Sequence, residues 1–333
     1  MWHILRAWRG LIDLERWRVR CVFSECLNDN ALGGNTGAPP GGPPGIDPRW
    51  NMEWRAVVRV LRSPKSWARA AVDDLVTTFF PADCRACGGP LTRAGLAPVC
   101  DGCVAGISLQ SMTLCSRCGE ALDMEGVRYA GQFPVEGLLC SPCRMVAPEF
   151  ERAVAYGVYE NELREMVHLL KYEGMRAVAR PLGVKLAAAM EMLEGVAAKE
   201  LMVVAVPLYP AKERQRGYNQ TVLLTDTALA VLKKSKPGWE LRAAHGMLRR
   251  VRDTESQFAL TPVGRRRNLK GAFAVPEDAS MVGREVLLLD DIYTTGATAR
   301  ECARVLRRAG ARKVWVATLA RAQTEMVARW GEA

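Results

Sequence analysis

Residues 286–298 read VLLLDDIYTTGAT, and the prediction of the fold starts from this segment. It begins as a short continuous run of apolar residues, which is typical of a buried strand in a parallel sheet. The run ends at Asp290 and Asp291, and a tight turn then leads into a predicted helix over 297–309. This order predicts two carboxylates at the carboxyl edge of an α/β sheet, where such folds bind ligands.

The turn after the paired acids is suited to hold a phosphate group. Its residues are Thr294, Thr295, Gly296, Ala297 and Thr298. Their backbone amides and hydroxyls can surround an anion that also lies at the positive end of the helix dipole. A glycine after a strand is usually only part of a turn, but the complete order of features is more specific. We therefore predict that the turn binds a 5-phosphate and that Asp290 and Asp291 hold the hydroxyls of a ribose.

Strand and helix patterns alternate through the second half of the chain. Strands are predicted at 153–159, 201–206, near 241–248, 286–290 and 313–320. Helices are predicted at 161–171, 182–193, 219–233 and 297–309. Such alternation implies right-handed crossovers and a parallel sheet with helices on both faces. The fold class is therefore α/β.

A cysteine-rich module precedes the α/β pattern. Its four CxxC pairs are Cys84 and Cys87, Cys100 and Cys103, Cys115 and Cys118, and Cys140 and Cys143. Two CxxC turns that face one another supply a closed tetrahedral shell of thiolates for zinc. We predict two structural zinc sites, because eight cysteines leave no coordination position open for catalysis. The spacing leaves open whether the pairs combine sequentially or crossed, and whether the module also contacts nucleic acid.

Composition and the N-terminal sequence narrow the partners and the cellular location that we expect. The 333 residues include 46 Lys and Arg against 36 Asp and Glu, a net charge of +10 that favours phosphate-bearing partners. Neither a long apolar run nor a signal peptide is recognisable, so we expect no membrane span and a cytoplasmic location.

The chain divides into four predicted parts. These are a disordered extension with a Gly/Pro-rich linker at 1–52, a helical lead-in at 53–80, the cysteine module at 81–148 and the α/β domain at 149–325. Two alternatives concern the extension: it could form an amphipathic helix at a membrane surface, or translation could begin at Met52.

The 286–298 segment resembles the signature of type I phosphoribosyltransferases. Residues 81–321 as a whole resemble the ComF family, whose members join a double zinc ribbon to such a domain and are associated with DNA uptake in competent bacteria. The sequence LLKYEG at 169–174 resembles a family motif in which Lys171 could meet a phosphate, although a solvated lysine at a helix end is the alternative.

Two further stretches carry the resemblance. Residues 204–220 resemble the family's pyrophosphate-binding region, which implies that Lys212, Arg214 and Arg216 neutralise a pyrophosphate and that Asn219 and Gln220 open the next helix. Plain surface charge is the alternative for each side chain. Residues 249–273, called the hood segment below, resemble the family's mobile hood, and a long basic stretch of this kind is usually a lid or disordered.

The resemblance implies a ligand more firmly than a reaction. It implies binding of phosphoribosyl pyrophosphate with Mg²⁺, which prefers substrate oxygens and few protein ligands. Asp290 and Asp291 would then support the sugar, and Arg214 and Arg216 would stabilise the leaving group as the catalytic residues. The acceptor is not visible in the sequence.

Three hypotheses follow for the function. The first is a ComF-like protein that binds phosphoribosyl pyrophosphate and serves DNA uptake, together with single-stranded DNA and DNA-uptake proteins. The second is a catalytic phosphoribosyltransferase of nucleobase salvage. The third is a zinc-ribbon protein that binds single-stranded nucleic acid and has a non-catalytic phosphate site.

Overall fold

The computed structural model describes residues 81–122, 137–254 and 262–323, except positions 94, 96 and 278, together with 75 and 77–79 of a preceding helix. All of these lie in one compact unit, Arg62–Ala333. The predicted extension and linker, most of the helical lead-in and part of the hood segment fall outside the described residues. None of the described helices is long and apolar enough to cross a membrane.

The elements alternate as predicted. In chain order the helices are α1 Asp101–Gly106, α2 Ser141–Met145, α3 Asn161–Tyr172, α4 Ala179–Glu191, α5 Pro210–Arg216, α6 Gln220–Ser235, α7 Pro262–Leu269 and α8 Ala297–Arg308. A single 3-10 turn covers Arg176–Val178. The strands are β1 Arg152–Val158, β2 Glu200–Ala205, β3 Glu240–Ala243, β4 Arg249–Arg250, β5 Phe273–Ala274, β6 Glu285–Tyr293 and β7 Lys313–Arg321.

Five parallel strands form the main sheet, in the order β1-β7-β6-β2-β3. The prediction of an α/β fold with a parallel sheet is therefore confirmed. One detail of the prediction was wrong: β6 does not end at the paired acids, because its pairing with β7 continues to Tyr293 and Arg321. Asp290 and Asp291 thus lie within a strand. The strand predicted near 241–248 is also shorter, since only Glu240–Ala243 pairs with β2.

Helices α3, α4 and α6 share one apolar core with one face of the sheet. Leu287 and Leu289 of β6 are fully buried in this core. The crossing of α4 and α6 is close, because a Cβ added at Gly183 would overlap Thr227 of α6. The α3 helix contributes Leu163, Met166 and Leu170 to this core, and its Lys171 contacts Asp291 of β6.

The opposite face is covered by α8 and by part of the cysteine module. Val286 and Leu288 point into this second core, where they join Cys302 of α8 and the sulfur-bearing residues Cys115 and Cys143. The short antiparallel pair β4–β5 and helix α7 border α8. Cysteine side chains therefore form part of the core on this side of the sheet.

Helix α5 was not predicted from the sequence. It begins with Pro210 in its first turn and ends at Gly217, which adopts a left-handed conformation. Both positions are typical of helix ends. Because no residue of α5 is buried, the sequence has no apolar stripe there to reveal a helix.

Candidate functional site

The cysteines form two groups that follow the order of the chain. The first cysteine group is Cys84, Cys87, Cys100 and Cys103, and the second cysteine group is Cys115, Cys118, Cys140 and Cys143. The sulfurs of Cys84 and Cys103 are 3.8 Å apart, and those of Cys118 and Cys140 are 3.5 Å apart. Tetrahedral zinc with bonds of about 2.3 Å separates its sulfurs by about 3.8 Å. Both groups therefore fit zinc, in the sequential pairing.

The phosphate turn, residues 294–298, connects β6 to α8. Gly296 occupies the N-cap position with φ +73°, and no side chain caps the helix. The first amides of α8 are therefore free of an intrahelical or capping partner. The Thr295 hydroxyl oxygen is also buried, and it has no hydrogen-bond partner among the described residues. Such donors at a helix start are arranged to bind an anion.

Asp290 and Asp291 are consecutive residues of a strand, so their side chains leave the sheet on opposite faces. On the α3 and α6 side, Asp291 forms an ion pair with Lys171, whose Nζ lies 2.9 Å from the carboxylate. The same carboxylate accepts a 2.8 Å hydrogen bond from Gln220 Nε2. Within the described parts of the chain, no cation makes a comparable contact with Asp290. Burial, reinforced by the neighbouring Asp291 charge, raises the pKa of Asp290 to about 7. Asp290 is therefore partly protonated near neutral pH.

Lys171 belongs to a chain of polar contacts that extends to α5. Burial lowers the pKa of Lys171, but the Asp291 carboxylate outweighs burial and holds that pKa above its ordinary value. Gln220 donates to Asp291 and accepts a hydrogen bond from Arg216. Lys171 is thus a charged, mostly buried residue beside an acid, and the solvated alternative does not describe it.

The other predicted pyrophosphate residues are distributed around α5. Lys212 Nζ donates to the Thr254 carbonyl oxygen at 3.1 Å and lies 3.6 Å from the Asp253 carboxylate. Arg214 is exposed. Asn219 uses its side chain internally, since it caps α6 at the Thr221 amide and donates to the Val206 carbonyl. Asn219 therefore joins the start of α6 to Val206, the residue that follows β2.

Arg250 is a residue near the site that the sequence did not single out. It lies on β4, donates to the Thr254 hydroxyl, and its Nε is buried without a partner among the described residues. Burial lowers the pKa of Arg250, while the charges of Cys302 and Asp290 oppose that effect. The basic composition of the hood segment indicated cations near the site, but nothing in it distinguished Arg250 from the other arginines.

Comparison with curated proteins finds relatives across most of the chain. Competence protein F of Haemophilus influenzae is 30% identical over 249 residues, which cover 73% of this chain and 99% of that protein. DNA utilization protein YhgH of Escherichia coli is 30% identical over 247 residues, covering 72% and 97%. Competence protein ComFC of Streptococcus pneumoniae is 34% identical over 128 residues, covering 37% and 49%. No family model matches the chain.

Similar solved structures include phosphoribosyltransferases. A glutamine phosphoribosylpyrophosphate amidotransferase from B. subtilis has a TM-score of 0.27 at 19% identity, covering 43% of this chain and 26% of that one. A hypoxanthine phosphoribosyltransferase from Staphylococcus aureus has a TM-score of 0.24 at 18% identity, covering 45% and 64%. These scores are low, so the assignment of the fold depends on the strand order and on the sequence relatives.

Proposed function

Because this chain belongs to the ComF family, we propose that it binds phosphoribosyl pyrophosphate with Mg²⁺ at the phosphate turn and the paired acids, and that this binding serves DNA uptake. The observation that carries the proposal is the Thr295 hydroxyl, which is buried without a partner among the described residues at the start of an uncapped helix. A buried polar group without a partner is costly, so its retention favours a ligand that completes its hydrogen bonding.

Each part of the ligand has a matching group of residues. The 5-phosphate would accept hydrogen bonds from the phosphate turn and the first amides of α8. The ribose hydroxyls would lie near the carboxylates of Asp290 and Asp291, toward the carboxyl end of β6. The pyrophosphate would extend toward α5, where Lys212, Arg214 and Arg216 supply positive charge. Its arrival would replace the contact between Lys212 and the Asp253 carboxylate, which lies 3.6 Å away.

The acids also fit a divalent cation. Carboxylate oxygens and ligand oxygens are the donors that Mg²⁺ prefers, and bound Mg²⁺ would offset the negative charge of the pyrophosphate. Asp290 would act here in its ionised form. Since the pKa of Asp290 is about 7, binding of the magnesium complex would release a proton from this carboxyl near neutral pH.

Transfer chemistry would need only positioning and charge from the chain. The bond between C1 of the ribose and the pyrophosphate oxygen would break, and pyrophosphate would leave with the electron pair. The lone pair of an acceptor would form the new bond at C1, and the acceptor would lose its proton. Asp290 and Asp291 would stabilise positive charge on the sugar, while Arg214 and Arg216 would stabilise the departing pyrophosphate.

A second candidate function is binding of single-stranded nucleic acid. Exposed cations cluster in the described part of the hood segment, namely Arg249, Arg252, Arg267 and Lys270. Such a group can track a phosphate backbone, and the affinity would then fall steeply with salt. This function is compatible with the first, because these cations lie outside the phosphate turn and the paired acids.

Calorimetric titration of the full chain with phosphoribosyl pyrophosphate and MgCl₂ tests the proposal. We expect Asp290→Asn and Asp291→Asn each to lower the affinity by at least about tenfold, since each removes a charge that faces the ligand. Asp226→Asn is the matched control, because Asp226 pairs with His245 on an exposed surface. Equal affinity in the wild type and a protein carrying both site substitutions would refute the assignment.

Two further measurements separate the three hypotheses for the function. Pyrophosphate release across a panel of nucleobases tests catalysis, and absence of release with every base would exclude nucleobase salvage. Binding of a labelled single-stranded oligonucleotide at several salt concentrations tests the second candidate. Salt-independent binding, or none, would contradict it.

A further inference from the structure

We propose that the second cysteine group positions the phosphate turn through Tyr293, Arg300 and Arg321, so that loss of its metal weakens binding of a 5-phosphate. The first cysteine group has no such effect. The identity of the ligand in this inference rests on the proposed function, but the coupling itself is a property of the ligand-free fold.

Tyr293 lies directly behind the phosphate turn. It is the last residue of β6 and only 5% exposed. A Cβ added at Gly296 would overlap the Tyr293 hydroxyl, so the phenol is in contact with the backbone of the turn. The edge of the Phe150 ring meets the Tyr293 ring at a centroid distance of 6.4 Å. The position of the Tyr293 ring therefore limits how far the backbone of the phosphate turn can move toward this ring.

Arg321 connects the ring to the second cysteine group. Its guanidinium carbon lies 4.3 Å from the centre of the Tyr293 ring. The same guanidinium donates to the Cys118 carbonyl oxygen at 2.6 Å, contacts the Cys118 sulfur at 3.7 Å and pairs with Glu120. Arg321 is only 3% exposed. A displacement of Cys118 would therefore move Arg321 and, through it, Tyr293.

Arg300 makes a second connection, from the helix that follows the turn. It lies in the first turns of α8 and donates to the Cys143 sulfur at 3.7 Å and to the Val146 carbonyl oxygen at 2.8 Å. The start of α8 is thus attached to the loop that carries Cys143. Arg321 and Arg300, which lie on β7 and α8, therefore contact two different sulfurs of the second cysteine group.

The charges of the site explain why the metal matters. Four thiolates around Zn²⁺ carry a net charge of about −2, and the two guanidinium groups supply about +2. When the metal is lost, the thiolates are no longer held together, and the buried Arg321 keeps its ion pair with Glu120 but loses the fixed sulfur of Cys118 beside it. Removing part of the compensation of a buried charge is unfavourable, so Arg321 would shift with Glu120 and the Cys118 backbone, which still bind it.

The first cysteine group has different surroundings. In the part of the chain that the structure describes, the hydrogen bonds to its sulfurs come from backbone amides and from other cysteines of the group. Cys87 is exposed, whereas all four residues of the second group are buried. The first group packs beside α3, where Arg85 pairs with Glu173 at 2.8 Å. It therefore serves as an internal control.

Hydrogen exchange of the ligand-free chain tests the coupling without any ligand. Cys143→Ser and Cys100→Ser each remove one ligand, from the second and the first group respectively, and metal content is measured in both. We expect faster exchange in peptides spanning 294–298 for Cys143→Ser only. Equal exchange in the two variants, or faster exchange only in Cys100→Ser, would overturn the proposal.

Titration with ribose 5-phosphate and with pyrophosphate then identifies the affected subsite. Cys143→Ser should weaken ribose 5-phosphate binding by about tenfold and leave pyrophosphate binding within about twofold. Arg300→Gln, which keeps all eight cysteines, should weaken ribose 5-phosphate binding less, and Arg300→Lys should recover part of it. An equal loss of both ligands would show general unfolding and overturn the specific coupling.

The two proposals fail in distinguishable ways. If wild-type protein binds neither ribose 5-phosphate nor phosphoribosyl pyrophosphate, the proposed function is wrong, and the exchange comparison still decides the coupling. If wild-type protein binds both while Cys143→Ser binds equally well and exchanges normally, the coupling is wrong and the function stands. If Cys143→Ser does not fold, Arg300→Gln decides by the same exchange measurement.

Discussion

Replacing Asp290 with asparagine should stabilise the ligand-free protein while weakening its proposed ligand binding. The pKa of Asp290 rises from 3.8 to about 7 because the residue is buried and lies beside Asp291. Between those two values the folded protein keeps a proton that the unfolded chain has lost. The stability contributed by this group is therefore greatest at low pH and is lost as the pH rises through about 7.

The size of the effect follows from the same two pKa values. Each pH unit between them changes the free energy of unfolding by about 1.4 kcal/mol, so the ionised carboxylate costs about 4 kcal/mol at most. An asparagine side chain would avoid this cost but would still bury an amide. We expect Asp290→Asn to gain about 2 kcal/mol at pH 8. The advantage should grow by about 1.4 kcal/mol between pH 6 and pH 8.

Asp291→Asn should change stability in the opposite direction. Asp291 pairs with Lys171 at 2.9 Å, and the side chains of Lys171 and Asp291 are only 15% and 6% exposed. Removing one partner of a buried ion pair leaves the other charge uncompensated and costs about 3 kcal/mol. The two substitutions are therefore expected to change the free energy of unfolding in opposite directions.

Urea unfolding followed by tryptophan fluorescence measures both effects. Wild type and variant are compared at the same pH, so that any loss of metal at the lower pH affects them equally. Equal m-values are required for the free energies to be compared. If Asp290→Asn is no more stable than wild type at pH 8, or if the difference does not change between pH 6 and pH 8, the burial and charge assigned to Asp290 are wrong.

Three further predictions concern other parts of the molecule. Gly296→Ala should weaken ribose 5-phosphate binding by about tenfold in calorimetry, because the new Cβ overlaps the Tyr293 hydroxyl at φ +73°; unchanged affinity would contradict the contact. Gly183→Val should lower the free energy of unfolding by about 3 kcal/mol in urea, since its side chain would overlap Thr227, and a neutral result would contradict the close crossing of α4 and α6. Removal of metal by a strong chelator should lower the thermal midpoint measured by circular dichroism, and restoring zinc should recover it.

The central part of the fold was predictable because its strands are buried on both faces. The continuous apolar runs at 201–206 and 286–290 are what a parallel sheet covered by helices requires. The two cysteine groups were predictable as zinc sites because CxxC spacing is itself a geometric constraint. The sequential pairing required the structure, since spacing alone permits either combination.

The arrangement of the candidate site was less predictable, because it depends on contacts between distant residues. Nothing in the sequence indicates that Lys171 pairs with Asp291, or that Asp290 and Asp291 face opposite sides of a strand. Helix α5 escaped prediction because it buries no residue, so its sequence carries no periodic signal. The ligand-binding roles of these residues and the boundaries of the four parts of the chain remain predictions.

The cysteine side chains that cover one face of the sheet have a consequence for any attempt to divide the chain. A fragment beginning at Glu149 would retain every strand, yet it would remove the second cysteine group from the apolar core that contains Val286, Leu288 and Tyr293. It would also leave Arg321 buried without Glu120 or Cys118. We therefore expect such a fragment to aggregate, and the chain to unfold as one cooperative unit from the cysteine module through β7.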